Sequence, residues 1–180
     1  MGAAIGCIYS ASFPESVSSL TMIDGLGPLI TPSREARDIL RESILEKEKG
    51  KKKKRSFKDL DLAIKARMIN GGISFNSAKI LVENQIVKKG QCFEWTFDYK
   101  LKSVSSLRLN EEQLFSFFKK LNCPALLIQA SEGYVKHAPY WSKRNIIKNL
   151  KTKEIHGKHH LHMESPADVA DAINNFTYKL

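Results

Sequence analysis

Three histidines and a glutamate lie within six residues near the end of this 180-residue chain, at His159, His160, His162 and Glu164. Imidazole takes up and releases protons near neutral pH, and it is also a common zinc ligand. The segment could therefore hold a catalytic base or a metal ion, or it could be a solvated loop with one histidine in the core. A single metal ion fits the spacing His-His-x-His poorly, so the metal site is the weakest of the three.

The next residues along the chain predict how the histidines are positioned. Ser165 is a good helix N-cap, Pro166 suits the first helical position, and Asp168 favours the first turn of a helix. The amphipathic run 167–176 continues the pattern. We therefore expect the histidines on a loop that leads into a helix, where functional side chains are often displayed.

Composition predicts a single globular domain without a membrane span. Hydrophobic residues make up 42% of the chain, which is enough for a core. No apolar stretch approaches the roughly 20 residues that cross a bilayer, and Met1 to Tyr9 lacks a basic leader. Cys7, Cys92 and Cys123 are far apart and form no CxxC pair. We expect a cytoplasmic protein with neither a metal ion nor an organic cofactor.

The net charge of +10 is concentrated in residues 47–55, which carry seven positive side chains. Such a cluster can bind nucleic acid or an anionic membrane, because it displaces counterions from phosphate groups. No aromatic residue interleaves with the lysines before Phe57, as a stacking surface for bases would require. We interpret Lys47 to Arg55 as a solvated loop between two helices, and keep nucleic-acid or anion binding as the alternative function.

The order of apolar segments predicts an α/β fold of about three parallel strands with flanking helices. A helix over 2–13 and a strand over 17–23 come first, and the strand ends at Asp24-Gly25. A mostly helical insertion comes next, including a helix over 75–89. We expect core segments at 1–31 and 122–180 around an insertion at 32–121. The last segment contains strands at 124–130 and 151–155, a helix near 140–149, the histidine loop and the final helix.

Three motifs resemble the C-terminal portion of an α/β-hydrolase-fold serine hydrolase. The pattern His159, Glu164, Pro166 is similar to that family's catalytic-histidine loop. The strand 123–130 with the turn 131–134 resembles the strand and turn that usually present the catalytic acid. Residues 1–6, Met-Gly-Ala-Ala-Ile-Gly, resemble the segment directly after the nucleophile of a G-x-S-x-G elbow.

The resemblance implies a role for several residues. His159 would be the general base. Glu132 is the preferred acid and Asp24 the alternative, although Asp24 is also explained by ordinary Asp-Gly turn chemistry. Met1 would be the position after a nucleophilic serine that this chain does not contain. The chain alone would then be inactive as an ester-type hydrolase, and an N-terminal fragment could complement it.

The insertion further resembles that of the serine hydrolase-like subfamily of epoxide-hydrolase-like and esterase-like proteins. It would form a lid over the site. Trp95, Phe97 and Met68 could line a pocket for a small ester-like substrate, or they could be the core of the lid itself.

Overall fold

The structure, a computed structural model, describes residues 1–49 and 56–179. The helices are α1 (Gly2–Ser12), α2 (Ala36–Glu48), α3 (Leu60–Gly71), α4 (Phe75–Glu83), α5 (Glu111–Lys120), α6 (Leu161–Glu164) and α7 (Pro166–Thr177). The strands are β1 (Leu20–Ile23), β2 (Ser56–Phe57), β3 (Ile86–Lys89), β4 (Cys92–Trp95), β5 (Ala125–Ala130) and β6 (Leu150–Ile155). Within the described residues, no helix is long and apolar enough to cross a membrane.

The chain divides into two compact units. The first unit comprises Met1–Arg34 and Arg108–Leu180, and the second comprises Glu35–Leu107. The sequence pattern assigns residues 32–121 to the insertion, whereas the second unit ends at Leu107. The difference arises because α5 buries Leu114 and Phe118 in the core of the first unit.

The first unit is built on a parallel sheet with strand order β1-β5-β6. β5 is the central strand and five of its six residues are buried, as expected for a strand covered on both faces. Met22 and Leu127 pack with Phe118 on one face. Leu126 and Ile128 pack with α7 on the other. The unit is therefore a three-layer arrangement of helix, sheet and helix.

Small side chains hold α1 close to the sheet. Cys7 and Ser10 are buried, and a Cβ built on Gly6 would lie 3.0 Å from Leu20 Cδ1. Burial raises the pKa of the Cys7 thiol to about 12. The large apolar side chains of α1 lie on its opposite, exposed face.

The second unit contains α2, α3, α4 and an antiparallel sheet of order β2-β4-β3. The expected helix over 75–89 is wrong in its second half, because α4 ends at Glu83 and β3 comes next. β3 and β4 form a hairpin whose two-residue turn begins at Gly90, with φ of +60°.

Two other expectations require correction. The predicted helix near 140–149 is a shorter 3₁₀ segment, Trp141–Ile146. Ser165 precedes α7, and Pro166 occupies the first turn as expected, but the Ser165 side chain makes no capping hydrogen bond. The short helix α6, which the sequence pattern does not predict, ends at this position, so Ser165 is both the C-cap of α6 and the N-cap of α7.

Candidate active site

Asp24 is a buried carboxylate at the carboxyl end of β1. It is 2% exposed, and its φ of 44° makes it the one non-glycine residue in the described part of the chain with positive φ. Aspartate tolerates this left-handed conformation better than most residues. Buried residues with such an uncommon backbone conformation often lie at functional sites.

The last residue of β5 and the turn after it each donate one backbone hydrogen bond to this carboxylate. The Ala130 N–H donates to Asp24 Oδ1 at 3.3 Å, and the Tyr134 N–H donates to Asp24 Oδ2 at 2.9 Å. β1 and β5 are parallel neighbours, so their carboxyl ends lie at the same edge of the sheet. The register of the two strands therefore brings the Asp24 side chain to the turn.

His159 completes this cluster from the loop between β6 and α6. Its Nδ1 lies 2.8 Å from Asp24 Oδ2, and its side chain is 37% exposed. An ionised carboxylate only accepts hydrogen bonds, so the contact assigns the proton to Nδ1. Nε2 then carries the lone pair that a general base requires. The Tyr134 ring lies beside the imidazole, with 4.7 Å between ring centroids.

Glu132, the acid preferred from the sequence, lies in the same turn but is exposed. Its backbone N–H donates to Gly157 O at 2.9 Å, which ties the turn to the histidine loop. The carboxylate in contact with His159 is that of Asp24. This contact favours Asp24 over Glu132, and the catalytic role of either carboxylate stays a prediction.

The other two histidines continue away from His159 along the loop and α6. The ring centroids of His159 and His160 are 5.3 Å apart, and those of His160 and His162 are 5.9 Å apart. Among residues 1–49 and 56–179, no group of three His, Cys, Asp or Glu side chains is arranged to hold a metal ion.

The start of α1 lies at the same edge of the sheet as Asp24. A Cβ built on Gly25, the residue after Asp24, would lie 3.0 Å from Ala3 Cβ. Met1 precedes α1 and is exposed. The first N–H groups of a helix have no partner within the helix and carry partial positive charge, so this end of α1 suits a negatively charged group.

The three proposed substrate-binding residues lie in the second unit. Met68 and Trp95 are partly buried against that unit's own core, and Trp95 contacts Phe57 edge to face at 5.7 Å. Phe97 packs beside Trp95, with 5.7 Å between centroids. Contact with a substrate stays a prediction.

The basic segment is described only in part. Lys47 donates to Ser106 Oγ at 2.7 Å, and residues 50–55 lie outside the described residues. Lys47 and Glu48 belong to α2, so the predicted loop is wrong at these two positions, and the solvated character of the rest of the segment stays a prediction.

Two residues of the site are not recognisable as site residues from the sequence. Gly133 and Tyr134 read only as part of a turn, and their contacts with Asp24 depend on the pairing of β1 with β5. Turn composition alone cannot reveal a partner that lies 110 residues away in the chain.

Solved structures similar to this chain identify the fold. A hypothetical protein of Pseudomonas aeruginosa aligns over 94% of this chain and 61% of its own, with a TM-score of 0.86 and 26% identity. A thioesterase domain from the curacin biosynthetic pathway aligns over 95% and 62%, with a TM-score of 0.77 and 16% identity. The E-2-(acetamidomethylene)succinate hydrolase aligns over 98% and 63%, at 0.72 and 18%. The chain has the α/β-hydrolase fold.

Curated proteins similar to this chain include serine hydrolase-like proteins. The chain is 23% identical to a serine hydrolase-like protein of Danio rerio over 98% of its own length and 58% of the relative's. It is 26% identical to a probable serine hydrolase of Drosophila melanogaster over 98% and 57%. No family model matches it. The chain is a homologue of the serine hydrolase-like proteins and spans a little over half the length of these relatives.

Proposed function

We propose that this chain supplies the base and the acid of an ester-type serine hydrolase. The observation that supports the proposal is the 2.8 Å contact between Asp24 Oδ2 and His159 Nδ1 at the carboxyl edge of the parallel sheet. Ligand sites of open α/β sheets lie at this edge. In the proposal His159 is the base, Asp24 orients it, and the nucleophilic serine comes from sequence directly upstream of Met1.

The chemistry depends on the orientation of the imidazole. His159 Nε2 would take the proton of the serine hydroxyl as its oxygen attacks the ester carbon, and would then pass that proton to the leaving alcohol oxygen. Asp24 would stabilise the imidazolium between these two transfers. N–H groups at the start of α1 would face the oxyanion, where helix polarity favours negative charge. Water would hydrolyse the acyl-enzyme by the same route.

Two surface features of the first unit support the proposal that an N-terminal segment packs against it. β1 pairs with β5 along one edge, and within the described residues no strand pairs with its other edge. Met1, Ile5, Tyr9 and Phe13 form an exposed apolar ridge along α1. We propose that an upstream segment covers this ridge and pairs with the other edge of β1. This segment would contribute both a strand parallel to β1 and the nucleophilic serine.

The proposal is tested with two proteins, the 180-residue chain and a chain extended upstream to include a Gly-x-Ser sequence directly before Met1. The 180-residue chain should neither hydrolyse p-nitrophenyl acetate nor react with a fluorophosphonate probe. The extended chain should do both, with the probe attached to that serine. Turnover by the 180-residue chain that His159→Ala abolishes would contradict the assignment of the nucleophile.

Substitutions in the extended chain test the acid. Asp24→Ala should lower kcat by several orders of magnitude, as expected when the imidazole loses its orienting carboxylate. Glu132→Ala is the matched control, because it removes a carboxylate from the same edge without touching the contact with His159, and it should leave kcat unchanged. The reverse pattern would refute Asp24 as the acid.

A further inference from the structure

The turn after β5 packs against the Asp24 side chain, whereas Glu132, the acidic residue of the turn itself, is exposed. A Cβ built on Gly133 would lie closer than 3.0 Å to Oδ1, Cγ and Oδ2 of Asp24. The carboxylate thus occupies the space of the side chain that position 133 lacks. Any residue larger than glycine at position 133 would have to displace the carboxylate.

Backbone conformation does not explain this glycine. The glycines of the described chain with positive φ are Gly72, Gly90 and Gly157, and Gly133 is not among them. Alanine is therefore compatible with the backbone at position 133. The requirement for glycine comes from the close approach of Asp24 alone.

Tyr134, the residue after Gly133, contacts both Asp24 and His159. Its N–H donates to Asp24 Oδ2, the same oxygen that contacts His159 Nδ1. Its ring lies beside the imidazole at 4.7 Å although the residue is 65% exposed. One residue thus contacts both members of the pair, the acid through its backbone and the base through its ring.

The other end of the turn is fixed to the histidine loop. The Ser131 N–H donates to Ile155 O at 3.0 Å, and Ser131 Oγ accepts from the Gly157 N–H at 3.1 Å. The Glu132 N–H donates to Gly157 O. The turn therefore joins the strand end that carries Asp24 to the loop that carries His159.

The geometry points to the turn 131–134 as a positioning element, in which Gly133 makes room for an acid from β1 and Tyr134 fixes both members of the pair. Gly133 and Tyr134 are positioning residues, because they act through Asp24 and His159. The functional meaning rests on the hydrolase role proposed above. The geometric part concerns the 180-residue chain itself and is testable without any hydrolase activity.

The first test observes the hydrogen bond directly by NMR of the ¹⁵N-labelled 180-residue chain. The His159 Nδ1–H proton should give a downfield signal that exchanges slowly with water, assigned by its loss in His159→Gln. Gly133→Ala should abolish this signal, and Glu132→Ala, the matched control in the same turn, should keep it. Tyr134→Ala should keep it with faster exchange, whereas Tyr134→Phe should match the wild type. An unchanged signal in Gly133→Ala would overturn the proposal.

The second test covers the case in which Gly133→Ala folds poorly. Overpacking at this site should lower Tm by about 5 °C in the wild-type chain. Asp24→Gly removes the carboxylate and accepts the positive φ of position 24, so the same Gly133→Ala change should then shift Tm by less than about 1 °C. An equal shift in both backgrounds would show that Gly133 is required for another reason and would overturn the proposal.

Activity of the upstream-extended chain separates the two proposals. If that chain has no esterase activity while the NMR signal responds as expected, the hydrolase proposal fails and the positioning role stands. If it is active and Gly133→Ala leaves both kcat and KM unchanged, the positioning role fails. If Gly133→Ala lowers kcat of the active extended chain and leaves KM unchanged, the result supports both the hydrolase proposal and the positioning role.

Discussion

The apolar ridge on α1 makes a quantitative prediction about association. Met1, Ile5, Tyr9 and Phe13 are 79%, 61%, 49% and 50% exposed. Full burial of one such side chain stabilises by about 1.5–3 kcal/mol, and these side chains are between one half and four fifths exposed, so each offers on the order of 1 kcal/mol to a partner surface. The ridge as a whole offers about 4 kcal/mol. We expect the 180-residue chain, without an upstream segment, to self-associate through this ridge.

Replacing the middle of the ridge should weaken that association without weakening the fold. The double substitution Ile5→Lys with Tyr9→Lys removes about 2 kcal/mol of the apolar contribution from each of the two associating chains. The loss of about 4 kcal/mol per dimer corresponds to about a 1,000-fold increase in the dissociation constant. Lysine forms helix at least as well as isoleucine or tyrosine, and its methylene stem can cover the part of each site that is already buried, so the free energy of unfolding should change by less than about 1 kcal/mol. Sedimentation equilibrium and urea unfolding measure the two quantities.

The control places the same two charges on exposed apolar residues of the second unit. Ile69 and Leu107 are 84% and 76% exposed, so Ile69→Lys with Leu107→Lys matches both the charge and the loss of apolar surface. This control should associate like the wild type. Equal weakening by both double variants would refute the ridge as the contact surface and leave net charge as the cause. A drop of more than about 1 kcal/mol in the unfolding free energy of the α1 variant would show that these side chains stabilise the folded chain itself.

The core and the surface of the chain make three other predictions. Phe118→Ala should lower the free energy of unfolding by about 3–5 kcal/mol in urea titration, because its side chain is fully buried between α1, α5 and the sheet. At pH 8 iodoacetamide should label partly exposed Cys92 much faster than buried Cys7, whose pKa of about 12 leaves almost no thiolate, and urea should remove the difference. A hydrogen bond from Lys136 lowers the pKa of the Glu154 carboxyl from its ordinary value. The ionised carboxylate therefore stabilises the folded chain above that ordinary pKa. This stability is lost as the pH falls through the lowered pKa of the folded chain. Glu154→Gln should therefore be less stable than the wild type at pH 7 and equally stable in acid, as measured by thermal unfolding.

The parallel sheet of the first unit was predictable because its signals are local. The strand at 124–130 is a nearly continuous apolar run, and the structure has a capping box of Asn110 and Gln113 before α5. Both features depend on residues within a few positions of each other.

The second unit shows where local signals compete. The lysines at 88 and 89 with Gly90 after them resemble the end of a helix, and they favour one that begins at Phe75. The same glycine is also typical of the first position of a two-residue hairpin turn. Pairing of β3 with β4 decided between the two, and Phe93 and Trp95 then packed on the core of that unit. A single sequence contains no measure of such pairing.

At the candidate site, too, local sequence could not predict which carboxylate contacts His159. Glu132 and Asp24 both end a strand of one parallel sheet, so chain order could not decide which carboxylate meets His159. Packing decided it, because the space left by Gly133 admits the Asp24 carboxylate while Glu132 is exposed to solvent. A glycine in the turn was visible in the sequence, but the side chain that fills its space was not.

The described side chains that contact His159 belong to the first unit. Asp24 comes from β1, the turn from β5 and the imidazole from the loop after β6, and these three strands pair consecutively. The orientation of the proposed base therefore depends on contacts that this chain makes with itself. The nucleophile of the proposed reaction depends on the edge of β1 and the start of α1, which meet at Gly25 and Ala3. The two requirements are separable. The 180-residue chain should therefore hold His159 in the same orientation even without activity, and the His159 Nδ1–H signal should not change when an upstream segment supplies the proposed serine.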